Sequence, residues 1–145
     1  MSKYGVGLRS VGSYQVAGVP WISGSTIQGD LTYNTATAGE MKLEFPYVTK
    51  SIMVTRTGGT STSPGSGDLR IHFREEAADG NPITGLHYHS VTGTGGTITM
   101  DVKCKEIYLS ISVATTDTTT FEVYAELTNI PTGSMFVLTG SGITD

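Results

Sequence analysis

Charge is what this chain has least of. Asp, Glu, Lys and Arg together make up 15% of its 145 residues, and the nine Lys and Arg are scattered with no basic run. With a formal net charge of -4, a surface that tracks nucleic-acid phosphates is not expected. Cysteine is down to a single residue, Cys104, which forms no disulfide within the chain and argues against a disulfide-stapled secreted module. No apolar run approaches the roughly 18 residues of a membrane-spanning helix, so no membrane partner is expected. The start, Met1-Ser2-Lys3-Tyr4-Gly5, lacks the apolar segment of a signal peptide, and synthesis and assembly inside a cell are expected.

What is abundant is threonine, which outnumbers even the 19 glycines, and serine is also plentiful. Branched Thr suits the pleated surface of a strand, and Gly supplies the turns between strands. At this length one domain is expected, burying roughly 70% of its unfolded surface, enough for a core without metal or disulfide.

Period-two alternation is clearest in Thr97-Ile98-Thr99-Met100-Asp101-Val102, in Ile107 to Val113 and in Phe121 to Leu127. Folding the last two runs at Asp117 sets Ile111 opposite Val123, Leu109 opposite Ala125 and Ile107 opposite Leu127. That register predicts a hairpin with one buried face. Met41 to Phe45, Lys50 to Thr57, Asp68 to Arg74 and Thr84 to Val91 alternate as well. Ile52 and Val54 point inward there with Met53 ambiguous, and Leu69, Ile71 and Phe73 form the buried side of their strand. Seven strands at short spacing and no helical periodicity predict an all-β antiparallel sandwich of jelly-roll type, with an immunoglobulin-like sandwich as the alternative.

Three regions are expected. Residues 1–39 form a Gly-rich N-terminal arm with short strands, 40–128 the sandwich core, and 129–145 a C-terminal arm. Ser23-Gly24-Ser25 reads as a turn or link in the first arm, and Thr128 to Ser134 as a turn region opening the second. Each arm carries large apolar side chains on weakly periodic sequence: Tyr14, Val19, Pro20, Trp21 and Ile22 in the first, and Met135, Phe136 and Leu138 in the second. Such clusters mark an interaction surface unless the arms fold back as edge strands of their own sandwich.

Candidate chemistry is sparse. His87 and His89 share one strand face, and His72 from a neighbouring strand would complete a metal site. The pair also resembles the cupin His-x-His motif, but 90–94 offer no carboxylate, so solvated histidines are the plainer reading and no metal or cofactor is expected. Cys104, between Lys103 and Lys105, has neighbours that lower a thiol pKa, yet no motif ties a histidine to it. Glu122 and Glu126 follow the outward alternation of a strand, not the pattern of an acid–base pair, and no serine lies in a nucleophile elbow. No enzyme is expected. In the hairpin register Tyr108 and Tyr124 are outward diagonal neighbours about 7–8 Å apart, a possible glycan-stacking platform unless an arm covers them.

Two stretches, Gly12 to Ser25 and Val123 to Asp145, resemble small virion structural proteins of tailed bacteriophages, particularly marine and cyanobacterial phages, and the strands between fit loosely. The resemblance implies a non-enzymatic β-sandwich, a capsid decoration or cement protein. It would bind the major capsid protein and further copies of itself as a homo-oligomer, a trimer among the options. Synthesis in the host cytoplasm would be followed by residence on the capsid surface of the virion. A tail or fibre component, or a carbohydrate- or receptor-binding module, is the alternative.

Overall fold

The computed structural model describes residues 7–9, 11, 18–28, 40–60, 68–74, 88–111, 118–136 and 138. Eight strands appear among them: β1 (Val19–Gln28), β2 (Glu40–Glu44), β3 (Tyr47–Thr60), β4 (Leu69–His72), β5 (His89–Val91), β6 (Thr97–Met100), β7 (Glu106–Ile111) and β8 (Thr118–Pro131). A single 3-10 turn, Thr132–Ser134, follows β8. The strands form two four-stranded antiparallel sheets, ordered β1-β8-β3-β6 and β2-β7-β4-β5. Buried residues of both sheets share one hydrophobic cluster, which makes the molecule a β-sandwich.

The predicted hairpin does not form. Ile107, Leu109 and Ile111 of β7 and Phe121, Val123 and Ala125 of β8 are all fully buried. Yet β7 pairs with β2 and β4, and β8 with β1 and β3. The two strands face one another across the core. Alternation reports which side of a strand is apolar, and two strands on opposite walls satisfy it as well as two neighbours do.

The ladders follow one rule. β1 pairs with β8, β2 with β7, β3 with β6 and β4 with β5. β3 also pairs with β8 and β4 with β7, which completes the two sheets. Phe121, fully buried, is among the largest side chains in the centre, and truncating such a residue costs about 3–5 kcal/mol.

The inner ends of both arm regions lie in strands. β1 runs straight through Ser23-Gly24-Ser25 and pairs with β8 over Val19 to Gln28, so this part of 1–39 is an edge strand. β8 continues through Thr128 to Pro131, past the expected boundary at 128. Inward residues of β8 are odd-numbered up to Leu127, after which the even-numbered Thr128 and Ile130 are buried. Register shifts on either side of Thr49 mark the irregularity that changes the phase. The Thr128 hydroxyl fills the gap, donating to the Val48 carbonyl at 2.6 Å and accepting from the Ile130 N–H at 3.2 Å. Ile130 thereby joins Val48 and Met135 in a second, smaller cluster.

Candidate functional site

The face of the β1-β8-β3-β6 sheet turned away from the core carries the exposed apolar surface. Register places Ile22 beside Tyr124, Tyr124 beside Met53 and Met53 beside Thr99. Ile22 is 75% exposed and Met53 37%, while Tyr124 is half-buried between them. The neighbouring row reads Gly24, Glu122, Thr55 and Thr97. On the other side stand Pro20, Glu126 and Ser51, with the Ser51 hydroxyl donating to Glu126 Oε2 at 3.3 Å and Lys50 Nζ 4.0 Å from the same oxygen. Threonine pairs tie adjacent strands: Thr26 with Thr120 at 3.0 Å, Thr55 with Thr97 at 3.0 Å and Thr60 with Thr118 at 3.1 Å. The result is an apolar row rimmed by hydroxyls and carboxylates. Met53 joins it because Ile52 and Val54 on either side are buried, which settles the position the sequence left ambiguous.

The arm residues divide by the same alternation. Trp21 turns inward and meets Phe45 edge-on at 4.9 Å between ring centroids. Met135 is buried against Val48 and Ile130, and Leu138 packs on both clusters. Of these three Met135 is buried, while Trp21 and Leu138 are half-buried against the core clusters. Val19, Ile22 and Phe136 are exposed at 60%, 75% and 64%, and Pro20 is exposed too. Tyr14 lies outside the described residues. Tyr47 is a further exposed aromatic, at 45%. It sits opposite Pro131, at the end of the sandwich where Phe136 follows the buried Met135.

The Tyr platform does not exist. Tyr108 lies on β7 and Tyr124 on β8, in different sheets. Tyr108 is also buried: its ring stacks on His72 with centroids 5.9 Å apart, and its hydroxyl donates to Glu106 Oε1 at 3.4 Å. Beside it in register, Lys42 bridges Glu44 at 2.9 Å and Glu106 at 3.0 Å. Hydrogen bonds to Glu44 and then Glu106 raise the Lys42 pKa, and Lys42 in turn holds the Glu44 carboxyl below its ordinary range.

The outer side of the second sheet contains one polar network that sequence reasoning missed. His72 Nδ1 donates to the Arg74 carbonyl at 2.6 Å, so the neutral ring presents Nε2 as acceptor for the Ser110 hydroxyl at 3.0 Å. Glu40 Oε2 stands 3.7 Å from the same Nε2, beyond hydrogen-bond reach. Burial, opposed by the Arg74 bond, pushes the His72 pKa down to about 4. A serine on a neutral histidine is the beginning of a nucleophilic pair. Here the carboxylate lies on the serine side of the ring, where it cannot orient Nδ1, and Ser110 and His72 are 0% and 1% exposed. In this arrangement the network satisfies buried polar atoms and presents no nucleophile to a substrate. Only the spacing of Ser110 within β7 and His72 within β4 brings them together, and no local motif signals it.

The metal candidates separate. His89 pairs in register with Ile71 and so shares that residue's side of the sheet, whereas His72 lies on the other. His87 lies outside the described residues. No group of three His, Cys, Asp or Glu side chains able to hold an ion occurs among the described residues. Cys104 is fully buried, and burial raises its pKa to about 11, overriding the effect expected from Lys103 and Lys105. A shallow pocket of about 370 Å³ is lined by Lys50, Asp101, Val102 and Lys103, with Lys103 Nζ donating to the Leu8 carbonyl at 3.0 Å.

Compared with known protein families and with curated proteins, the chain matches none.

Proposed function

We propose that the protein is a non-enzymatic virion structural protein, a capsid decoration or cement protein that stabilises a phage head shell as a homo-oligomer. Its partners would be the major capsid protein and further copies of itself, at the capsid surface of the virion. The observation that carries this reading is the outward sheet face. Its threonine pairs make an inert polar skin, and Ile22, Met53 and Tyr124 interrupt it with an apolar row that nothing among the described residues covers. Such a patch on a rigid sheet suits association with other protein surfaces. The exposed Phe136 and Tyr47 at the end of the sandwich add a second contact, and many weak contacts multiply in an assembly.

The strand order supports the jelly-roll form of the sandwich over the immunoglobulin-like one. Eight strands pairing first with last, second with second-last and so inward make a rolled ribbon. The immunoglobulin sheets group seven strands differently. Jelly rolls serve viral capsids, lectins and cupins alike, so the architecture agrees with the reading without choosing it.

The test is composition of purified phage particles from the source, by mass spectrometry and antibody labelling in the electron microscope. Many copies on the head, and lowered occupancy for a folded Phe136→Glu variant, are expected. Absence from particles overturns the reading, and labelling confined to tails moves the protein to the tail or fibre class. Removing 1–25 is not a clean test, because the cut falls inside β1.

A further inference from the structure

Four strands form the edges of the two sheets: β1 and β6 in one, β2 and β5 in the other. Edge strands offer unpaired backbone N–H and C=O groups, and proteins guard them with short length, charge or a covering segment. β5 has three residues and β6 four. β2 has five residues, of which Glu40, Lys42 and Glu44 are charged. β1 is neither short nor charged. It runs for ten residues, Val-Pro-Trp-Ile-Ser-Gly-Ser-Thr-Ile-Gln, without one charged side chain. Its strand partner among the described residues is β8 alone, and Ile22 stands out from it at 75% exposure.

One contact reveals which backbone groups face the open side. A Cβ on Gly24 would lie 2.9 Å from the Phe121 carbonyl oxygen, so that carbonyl points into β1 opposite Ser25. Odd-numbered residues of β1 therefore bond to β8, and Pro20, Ile22, Gly24 and Thr26 turn their backbone groups outward. Pro20 fits this phase, because the donor it lacks would have faced the open edge.

We propose that β1 pairs edge to edge with β1 of a second copy, antiparallel about a two-fold axis, joining two four-stranded sheets into one of eight strands. The inner and outer faces of the two copies match when paired residue numbers sum to an even value. Among such registers, the one with Ile22 opposite its own mate fuses the two Ile22–Tyr124–Met53 rows into a single apolar band. It sets Pro20 opposite Gly24, where the Pro20 carbonyl accepts from the Gly24 N–H. In a two-fold pairing any charge on the strand would face its own kind nearby, and β1 carries none. Glu122 and Glu126 stay one strand back from the junction. The inference stands on the edge alone, independent of any shell.

The test is sedimentation of the purified full chain over a concentration series, with two variants. The wild type is expected at twice its 15.3 kDa chain mass. Ile22→Lys is expected at the single-chain mass with an unchanged circular dichroism spectrum and melting curve. Ile22→Cys treated with diamide should form an inter-chain disulfide, two thiols giving up two electrons and two protons to the diazene. Cys104 is buried and takes no part, and a Thr120→Cys control, one strand inward, should stay uncross-linked. A wild type that stays at the single-chain mass, an oligomer that survives Ile22→Lys, or a dimer that Ile22→Cys fails to cross-link each overturns the proposal.

Discussion

Thr49 of β3 and Cys104, between β6 and β7, are joined through both backbone and side chain. The Thr49 N–H donates to the Cys104 carbonyl at 3.0 Å, and the Cys104 N–H donates back to the Thr49 hydroxyl oxygen at 3.0 Å. That hydroxyl also donates to the Val102 carbonyl at 2.7 Å. Both residues are 0% exposed, so no water replaces a lost bond. Thr49→Val keeps the shape and strands the Cys104 N–H and the Val102 carbonyl. The expected loss is about 1–3 kcal/mol in urea unfolding, with Thr49→Ser recovering most of it.

His72 makes stability depend on pH. The folded protein holds its pKa at about 4 against an ordinary 6.5. The unfolded chain therefore binds the extra proton between those values, and stability falls as pH drops through that window. Above pH 6.5 the residue contributes no slope. The loss attributable to it by pH 4 is about 3 kcal/mol, at 1.36 kcal/mol per pH unit. Urea midpoints measured from pH 7 to pH 5, above the range where most carboxylates titrate, should decline in the wild type and stay flat in His72→Gln.

Arg56 is a buried cation with little support. It is 7% exposed, its Nε has no hydrogen-bond partner among the described residues, and Asp68 Oδ1 stands 3.9 Å from one of its terminal nitrogens. Replacing such a group by an apolar side chain of similar length is neutral or stabilising, while removing its counter-charge is costly. Arg56→Met should unfold at or above the wild-type temperature in calorimetry, and Asp68→Asn below it.

Gly59 and Gly58 should respond oppositely to the same change. Gly59 has φ of +137° and a Cβ there would collide with the Thr118 carbonyl, whereas a Cβ on Gly58 meets open space. Gly59→Ala is expected to cost more than about 1 kcal/mol. Gly58→Ala should stay within about 0.5 kcal/mol of the wild type by thermal melting.

The sequence shows strands well and their partners poorly. Leu69, Ile71, Ile107, Leu109, Phe121 and Val123 are buried as their alternation predicts, because period two is a property of one strand by itself. Pairing is a property of two, and Ile111 looks equally apolar whether Val123 lies beside it or across the core. His72 was misread for a related reason: alternation assigns it to the outer side, correctly, but outer is not exposed once Ser110, Tyr108 and Arg74 close around it. Composition misled at one turn expected in the first arm. Ser23-Gly24-Ser25 has the residues of a turn, yet the ladder from β8 holds it extended. At the candidate site, Ile22 and Phe136 were legible as large apolar side chains on weakly periodic sequence. Their neighbours Trp21 and Met135, alike in composition, turn the other way.

The pairing of β1 with β8 also sets the order in which this molecule can be finished. β1 is the earliest of the described strands to be synthesised, and the strand it bonds to is the last. Until Thr118 to Pro131 has been made, an uncharged strand bearing Trp21 and Ile22 waits with both edges open. Loop-closure entropy delays such a long-range pairing further. The nascent chain is thus more prone to misassociation before β8 emerges, and pairing with β8 closes one of the two edges of β1.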